Sequence, residues 1–223
     1  VIPLCEELLA VPSYALADRS VYTESIQSYG EQLQEVIIRD RTTGDDDVKT
    51  LYDETFQQYL STRPVNATLL KLFGAEPQKD VRWSIMCDAK RVNQKTVTAR
   101  VRGSELHLML AESYAHPGAQ QNEAKALSLL NELRRKRIED VEDYTLQSLQ
   151  SLPEPDPEAL ITVDAAGKPL TRLISAILDE RRKELYMEGD RWFELKRNGC
   201  PEWWVIQQSG STLPVKYVTR KYL

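Results

Sequence analysis

Cysteine and histidine are scarce in this chain. Three cysteines (Cys5, Cys87, Cys200) and two histidines (His107, His116) are scattered over 223 residues, with no close pair. A metal site made from these residue types uses short ligand spacings, so none is expected, and the odd cysteines read as isolated small packing residues. No apolar run approaches the roughly 20 residues that a membrane-crossing helix requires. Cationic residues are not in excess, because 29 Lys and Arg face 34 Asp and Glu for a net charge of −5. Broad nucleic-acid binding needs concentrated Lys and Arg against phosphates and is therefore not expected. The sequence contains no Gly-rich phosphate loop, nucleophile elbow or His-Glu-x-x-His pattern. The acidic run Asp40–Asp47 lacks the ligand spacing of an EF-hand and reads as a solvated turn. No cofactor is expected.

What is present is an ordinary globular composition, 41% hydrophobic and 28% charged, in a chain long enough to bury a substantial core. Residues 1–11 read as a short helix with Leu4, Leu8 and Leu9 apolar, ended by Pro12. Val36-Ile37-Ile38 is a β-favouring run, expected to form a short strand. Asn66 suits the N-cap of a helix over 67–73, with Gly74 after it. An extended segment is expected from Asp80 to about Thr98. Two helices follow, at about 102–115 and 121–138. In that pair the small Ala111 permits close approach, Tyr114 lies one turn further on, and Leu127, Leu130 and Leu133 fill the seam. The proline-rich stretch within 139–162 is expected to be an irregular exposed connection, and Asp164–Pro169 a turn. Trp203–Ile206 and Val215–Val218 are candidates for short strands.

The segment from Ile177 to Gly199 carries the most information. Leu173, Ile174, Ile177, Leu178 and Leu185 recur at helical spacing and give one apolar face. The other positions are mostly ionic, with Asp179–Lys183, Glu180–Lys183, Glu188–Arg191 and Glu194–Arg197 three or four residues apart. Each such pair supports a helix by roughly 0.2–0.5 kcal/mol. Gly189 interrupts the run and Gly199-Cys200-Pro201 closes it. Glu180 and Glu184 lie one turn apart, as the paired carboxylates of a glycoside hydrolase can. They are interleaved with Arg181, Arg182 and Lys183, however, which favours the ionised form that a general acid must avoid. The preferred reading is structural: arginines bridge carboxylates and pin the helix to the preceding pair, while Trp192 and Phe193 fill the core.

Ile177, Glu180, Arg181, Arg182, Glu184, Leu185, Glu188, Gly189, Arg191, Trp192, Phe193, Leu195, Lys196, Arg197 and Gly199 together resemble the C-terminal signature of the SusD/RagB family. That family comprises outer-membrane nutrient-binding proteins of Bacteroidetes. Arg102–Ala115 and Asn122–Arg137 are similar to its tetratricopeptide-like helix pair, and the first 40 residues resemble it more loosely. The resemblance implies a mainly α fold with tetratricopeptide-like hairpins at 102–138, a long C-terminal signature helix at 170–199 and a few short strands. It also implies that 1–223 is the C-terminal part of a longer lipoprotein whose N-terminal half lies outside this sequence. Cys5 has only four residues before it and no cleavage site, so it does not match the family's acylated cysteine.

By the same resemblance the function is non-catalytic capture of a nutrient, an oligosaccharide or in some members a peptide. Release is to a TonB-dependent (SusC-like) transporter at the cell outer membrane. Sugars pack on exposed aromatic faces, which singles out Tyr52, Tyr59 and Trp83, with Arg82 beside the last, as ligand-binding candidates. Two alternatives stay open: a helical-repeat scaffold that holds only a protein partner, and a glycoside hydrolase using Glu180 and Glu184.

Overall fold

The computed structural model describes residues 1–22, 35–39, 65–94, 100–153, 161–206 and 214–218. The first helix, α1 (Ile2–Leu9), starts with a proline in its first turn, where no backbone N–H is lost, and buries Ile2 and Cys5. A single 3₁₀ turn, Pro12–Tyr14, redirects the chain. Strand β1 (Val36–Arg39) pairs antiparallel with β2 (Arg100–Arg102), with an irregularity between Val36 and Ile38. Helix α2 (Ala67–Lys71) is capped as expected, since the Asn66 side chain accepts from Thr68 N at 2.7 Å.

The extended segment expected from Asp80 onward is instead helical at its start. The Asp80 side chain accepts from Arg82 N at 3.1 Å and caps α3 (Val81–Met86). The cap and the tertiary role of Arg82 decide for helix.

Helices α4 (Gly103–Ala115) and α5 (Glu123–Arg137) form the central hairpin. Asn122 caps α5 by accepting from Lys125 N at 3.0 Å. Gly103 is required where it stands, because a Cβ there would lie 2.0 Å from the Tyr14 carbonyl oxygen. Helix α4 packs against α5, against α1 and against α7 (Arg172–Glu184), which Thr171 caps through Ile174 N. Leu106, Leu108, Leu110, Ala111, Leu130, Leu133, Leu173, Ile174 and Ile177 form the main core between them. Burial of about 25 cal/mol per Å² of apolar surface drives this assembly.

The connection from 139 onward is less irregular than expected. Helix α6 (Leu146–Gln150) forms on a Thr145/Ser148 capping box and buries Leu149 in the same core. Asp164–Pro169 makes the expected turn, with Asp164 Oδ1 accepting from Ala166 N and Lys168 N. The signature segment is two helices rather than one. α7 ends at Glu184, Gly189 adopts φ +84°, and α8 (Asp190–Arg197) departs in a new direction. Strands β3 (Glu202–Ile206) and β4 (Pro214–Val218) pair antiparallel.

Candidate functional site

Arg82, Arg102 and Arg137 are 1%, 0% and 0% exposed, an extreme for the side chain that holds its charge most firmly. Each reaches the same interior region from a different element, and Glu184 at the end of α7 meets all three. The Arg102 Nε and Nη2 donate to the two oxygens of Glu188, both at 2.9 Å, in a two-pronged pair. Its Nη1 donates to Glu35 Oε1 at 2.8 Å, Glu184 Oε1 at 2.9 Å and Ser104 Oγ at 2.8 Å. Arg137 donates from Nη2 to Glu35 Oε2 at 2.8 Å, from Nε to Glu184 Oε2 at 3.1 Å and from Nη1 to the Ala17 carbonyl at 2.8 Å. Its guanidinium stacks 4.1 Å over the ring of Tyr22, whose hydroxyl donates to Glu184 Oε1. Arg82 makes a fork with Asp80, at 2.8 and 2.6 Å, and reaches Glu184 Oε2 at 3.2 Å and Glu180 Oε2 at 2.7 Å. Lys183 Nζ donates to Glu180 Oε1 at 2.6 Å.

With Arg134 near Glu180, five cations (Arg82, Arg102, Arg134, Arg137, Lys183) face five carboxylates (Glu35, Asp80, Glu180, Glu184, Glu188), all buried. The charges balance, which is the condition for holding so many ions out of water. Burial by itself raises the Glu180 carboxyl, but Arg82 and Lys183 outweigh it and hold the group at about 2. Glu184 is likewise carried well below its ordinary range, because Arg137, Arg102 and Arg82 overcome its burial.

These facts argue against a general-acid role for Glu180 and Glu184. A general acid needs a carboxyl kept protonated near neutral pH and a path to substrate, and neither residue has either. Within the Glu180–Glu184 run, Arg181 bridges carboxylates as expected, donating to Asp190 at the start of α8 at 2.9 and 2.5 Å and to Glu105 of α4 at 3.4 Å, and Arg182 is half-buried. The arginines of the interior network come from other elements. Nothing local in the sequence marked Arg102, Arg137 or Glu35, whose mutual contacts span 67 and 102 residues.

Trp192 and Phe193 are corrected most sharply. They were expected in the core and are 49% and 67% exposed. The turn at Gly189 rotates α8 so that Glu194, Leu195 and Asn198 face inward, leaving positions 192 and 193 on the outer side. Helix α8 is held there by the Arg181–Asp190 pair and by Arg197, which pairs with Glu112 of α4, one contact at 2.8 Å, while Arg191 donates to Glu194 within α8 at 2.5 Å. Lys196 Nζ lies 6.0 Å from the Trp192 ring centroid.

The ligand-binding candidates separate. Tyr52 and Tyr59 lie outside the described residues. Arg82 is wholly engaged in the ion network, so the ligand contact read onto it is replaced by a structural one. Trp83 is half-buried, its ring edge-on to Phe73 with centroids 5.4 Å apart. Among the described residues no cluster of His, Cys, Asp and Glu is arranged to hold a metal ion, and Cys5, Cys87 and Cys200 are buried and form no disulfide. No described helix is long and apolar enough to cross a membrane.

No protein of curated function matches this chain. Among solved structures it is similar to a SusD-like carbohydrate-binding protein from Bacteroides vulgatus ATCC 8482, with a TM-score of 0.55 and 20% identity, covering 99% of this chain and 47% of that one. It is also similar to a SusD superfamily protein from the same organism, with a TM-score of 0.53 and 20% identity, covering 95% of this chain and 47% of that one. The chain thus spans about half the length of the structures it matches, and identities this low establish the fold alone. The sequence pattern of the SusD family matches residues 81–220, a stretch holding three of the five network carboxylates and all five cations. On that match, over more than half of its length, the chain belongs to the SusD family.

Proposed function

We propose that this chain is part of a nutrient-capture protein that binds a glycan without altering it. It acts at the bacterial outer membrane and passes its ligand to a TonB-dependent transporter. The observation that carries this reading is family membership over 81–220, joined to fold likeness with a protein described as carbohydrate-binding. The interior supports it from the other side. The carboxylates a hydrolase would use are occupied by arginines inside the fold, so the residues that define the family serve as a brace. Membrane attachment is assigned to a lipid outside residues 1–223.

Tyr52, Tyr59 and Trp83 remain the proposed sugar platforms. Calorimetric titration with neutral oligosaccharides tests the reading: saturable heat that Tyr52→Ala, Tyr59→Ala or Trp83→Ala diminishes supports it. Absence of binding across a broad oligosaccharide panel, with a peptide or protein binding instead, removes it.

A second reading has one specific observation in its favour. Trp192 and Phe193 form an exposed apolar pair on α8, as a surface that holds a protein partner does. In that case the chain is a scaffold, and Trp192→Ser with Phe193→Ser abolishes co-purification of the transporter while leaving any sugar binding intact.

A further inference from the structure

Where the tip of the α4–α5 hairpin meets α1, the surface forms a groove of about 420 Å³. This is within the range of small-molecule sites, roughly 300–1,000 Å³. Its polar lining comes from Glu6, Tyr114, Gln120, Gln121, Asn122 and Lys125. Three of these are tied together. The Tyr114 hydroxyl donates to Glu6 Oε1 at 2.5 Å, and Lys125 Nζ donates to the same hydroxyl at 3.1 Å and to Glu6 Oε1 at 3.4 Å. Lys125 also sits 4.8 Å from the Tyr114 ring centroid. The loop opposite is fixed through its backbone, with Asn122 N donating to the Tyr114 carbonyl at 2.8 Å and Gln121 N to that of Gly118 at 3.1 Å.

The chemistry of this lining selects a ligand class. One carboxylate and one ammonium cancel, so the groove offers no net attraction to a phosphate or an acidic sugar. Its walls are mainly polar, which does not suit the apolar face of a peptide helix. Tyr114 and Lys125 both donate to Glu6 Oε1, leaving Oε2 as an acceptor, and the Gln120 and Gln121 carboxamides each supply donors and an acceptor at the exposed rim. Adjacent donors and acceptors without net charge match vicinal hydroxyls, each of which donates and accepts.

We propose that this groove is a subsite for a neutral sugar unit, separate from the aromatic platforms at Tyr52, Tyr59 and Trp83. The inference rests on the glycan-capture reading and adds a place and a charge class to it. Glu6 and Lys125 hold the Tyr114 hydroxyl in position, and the amides of Gln120 and Gln121 contact the sugar.

The test follows the side-chain amide NMR signals of Gln120, Gln121 and Asn122 in the intact chain. Methyl glucoside, galactoside, mannoside and xyloside are titrated to about 100 mM, well above the ~1–10 mM dissociation constants of weak single-sugar contacts. At least one glycoside moves these signals saturably. The Gln120→Ala/Gln121→Ala variant, altered only at exposed positions, weakens that binding about tenfold with an unchanged thermal midpoint. Methyl glucuronide binds no better than the neutral sugars; if it binds more tightly, the charge class is wrong. If no neutral glycoside shifts the amides while oligosaccharide heat is seen by calorimetry, the groove proposal falls and glycan capture stands. If neither experiment detects a sugar, both fall.

Discussion

Single charges in this protein act in opposite directions according to what surrounds them. Glu180 is held at about 2, below its ordinary 4.5, and Glu184 lies well below it too. Their folded forms bind protons less readily than the unfolded chain does. The stability they supply is therefore complete above pH 4.5 and drains away as the pH falls toward 2, so acid unfolding of the protein is expected in that interval. Asp179 shows the reverse. Burial, with Glu180 beside it, pushes its carboxyl from 3.8 up to about 6. Its ionisation costs stability as the pH rises through that range. Asp179→Asn should raise unfolding free energy by about 1–3 kcal/mol at pH 7–8 and give no gain below the unfolded pKa, as urea titrations at several pH values will show. Arg102→Met removes the partner of Glu35, Glu184 and Glu188 together. It should cost about 3–5 kcal/mol, because the loss strands buried carboxylates rather than one surface pair.

Helices end and turn here for reasons that belong to the element. The break between α7 and α8 depends on Gly189 at φ +84°, where an added Cβ would meet nothing within 4 Å. Gly189→Ala should accordingly cost about 1–2 kcal/mol through backbone strain alone, with no steric clash. A much larger loss in thermal unfolding would mean that the α8 direction is set by packing at this corner instead. Thr171 accepts from Ile174 N at 3.2 Å, and Thr171→Ala should lower stability by about 1 kcal/mol. Both effects are small against the ion network, which holds α7 to α3, α5 and the end of β2 at once.

Across the whole molecule, apolar residues sort into a core that bears the stability and a face that does not. Leu195 is 5% exposed and its neighbours Trp192 and Phe193 are 49% and 67% exposed. Leu195→Ala should cost about 2–5 kcal/mol, whereas Trp192→Ser should change stability by about 0.5 kcal/mol or less. Equal losses from the two substitutions, measured by chemical denaturation, would show that the Trp192 side of α8 is covered. The exposed pair belongs to the surface of the 223 residues and not to their core.

The sequence by itself determined what local chemistry can determine. The cap at Asn66, the hairpin helices, the seam of Leu130 and Leu133, the two short C-terminal strands and the interruption at Gly189 all follow from spacing, propensity and turn residues. The family signature was readable for the same reason, being a continuous run. Tertiary structure alone decided which charges meet. Arg82, Arg102 and Arg137 converge on Glu184 from sequence separations of 102, 82 and 47 residues, and no local pattern encodes such a meeting. It also decided which way Trp192 and Phe193 point, since hydrophobicity carries no direction and the turn over 185–189, with Met187 and Gly189 both at positive φ, sets the face that α8 turns inward.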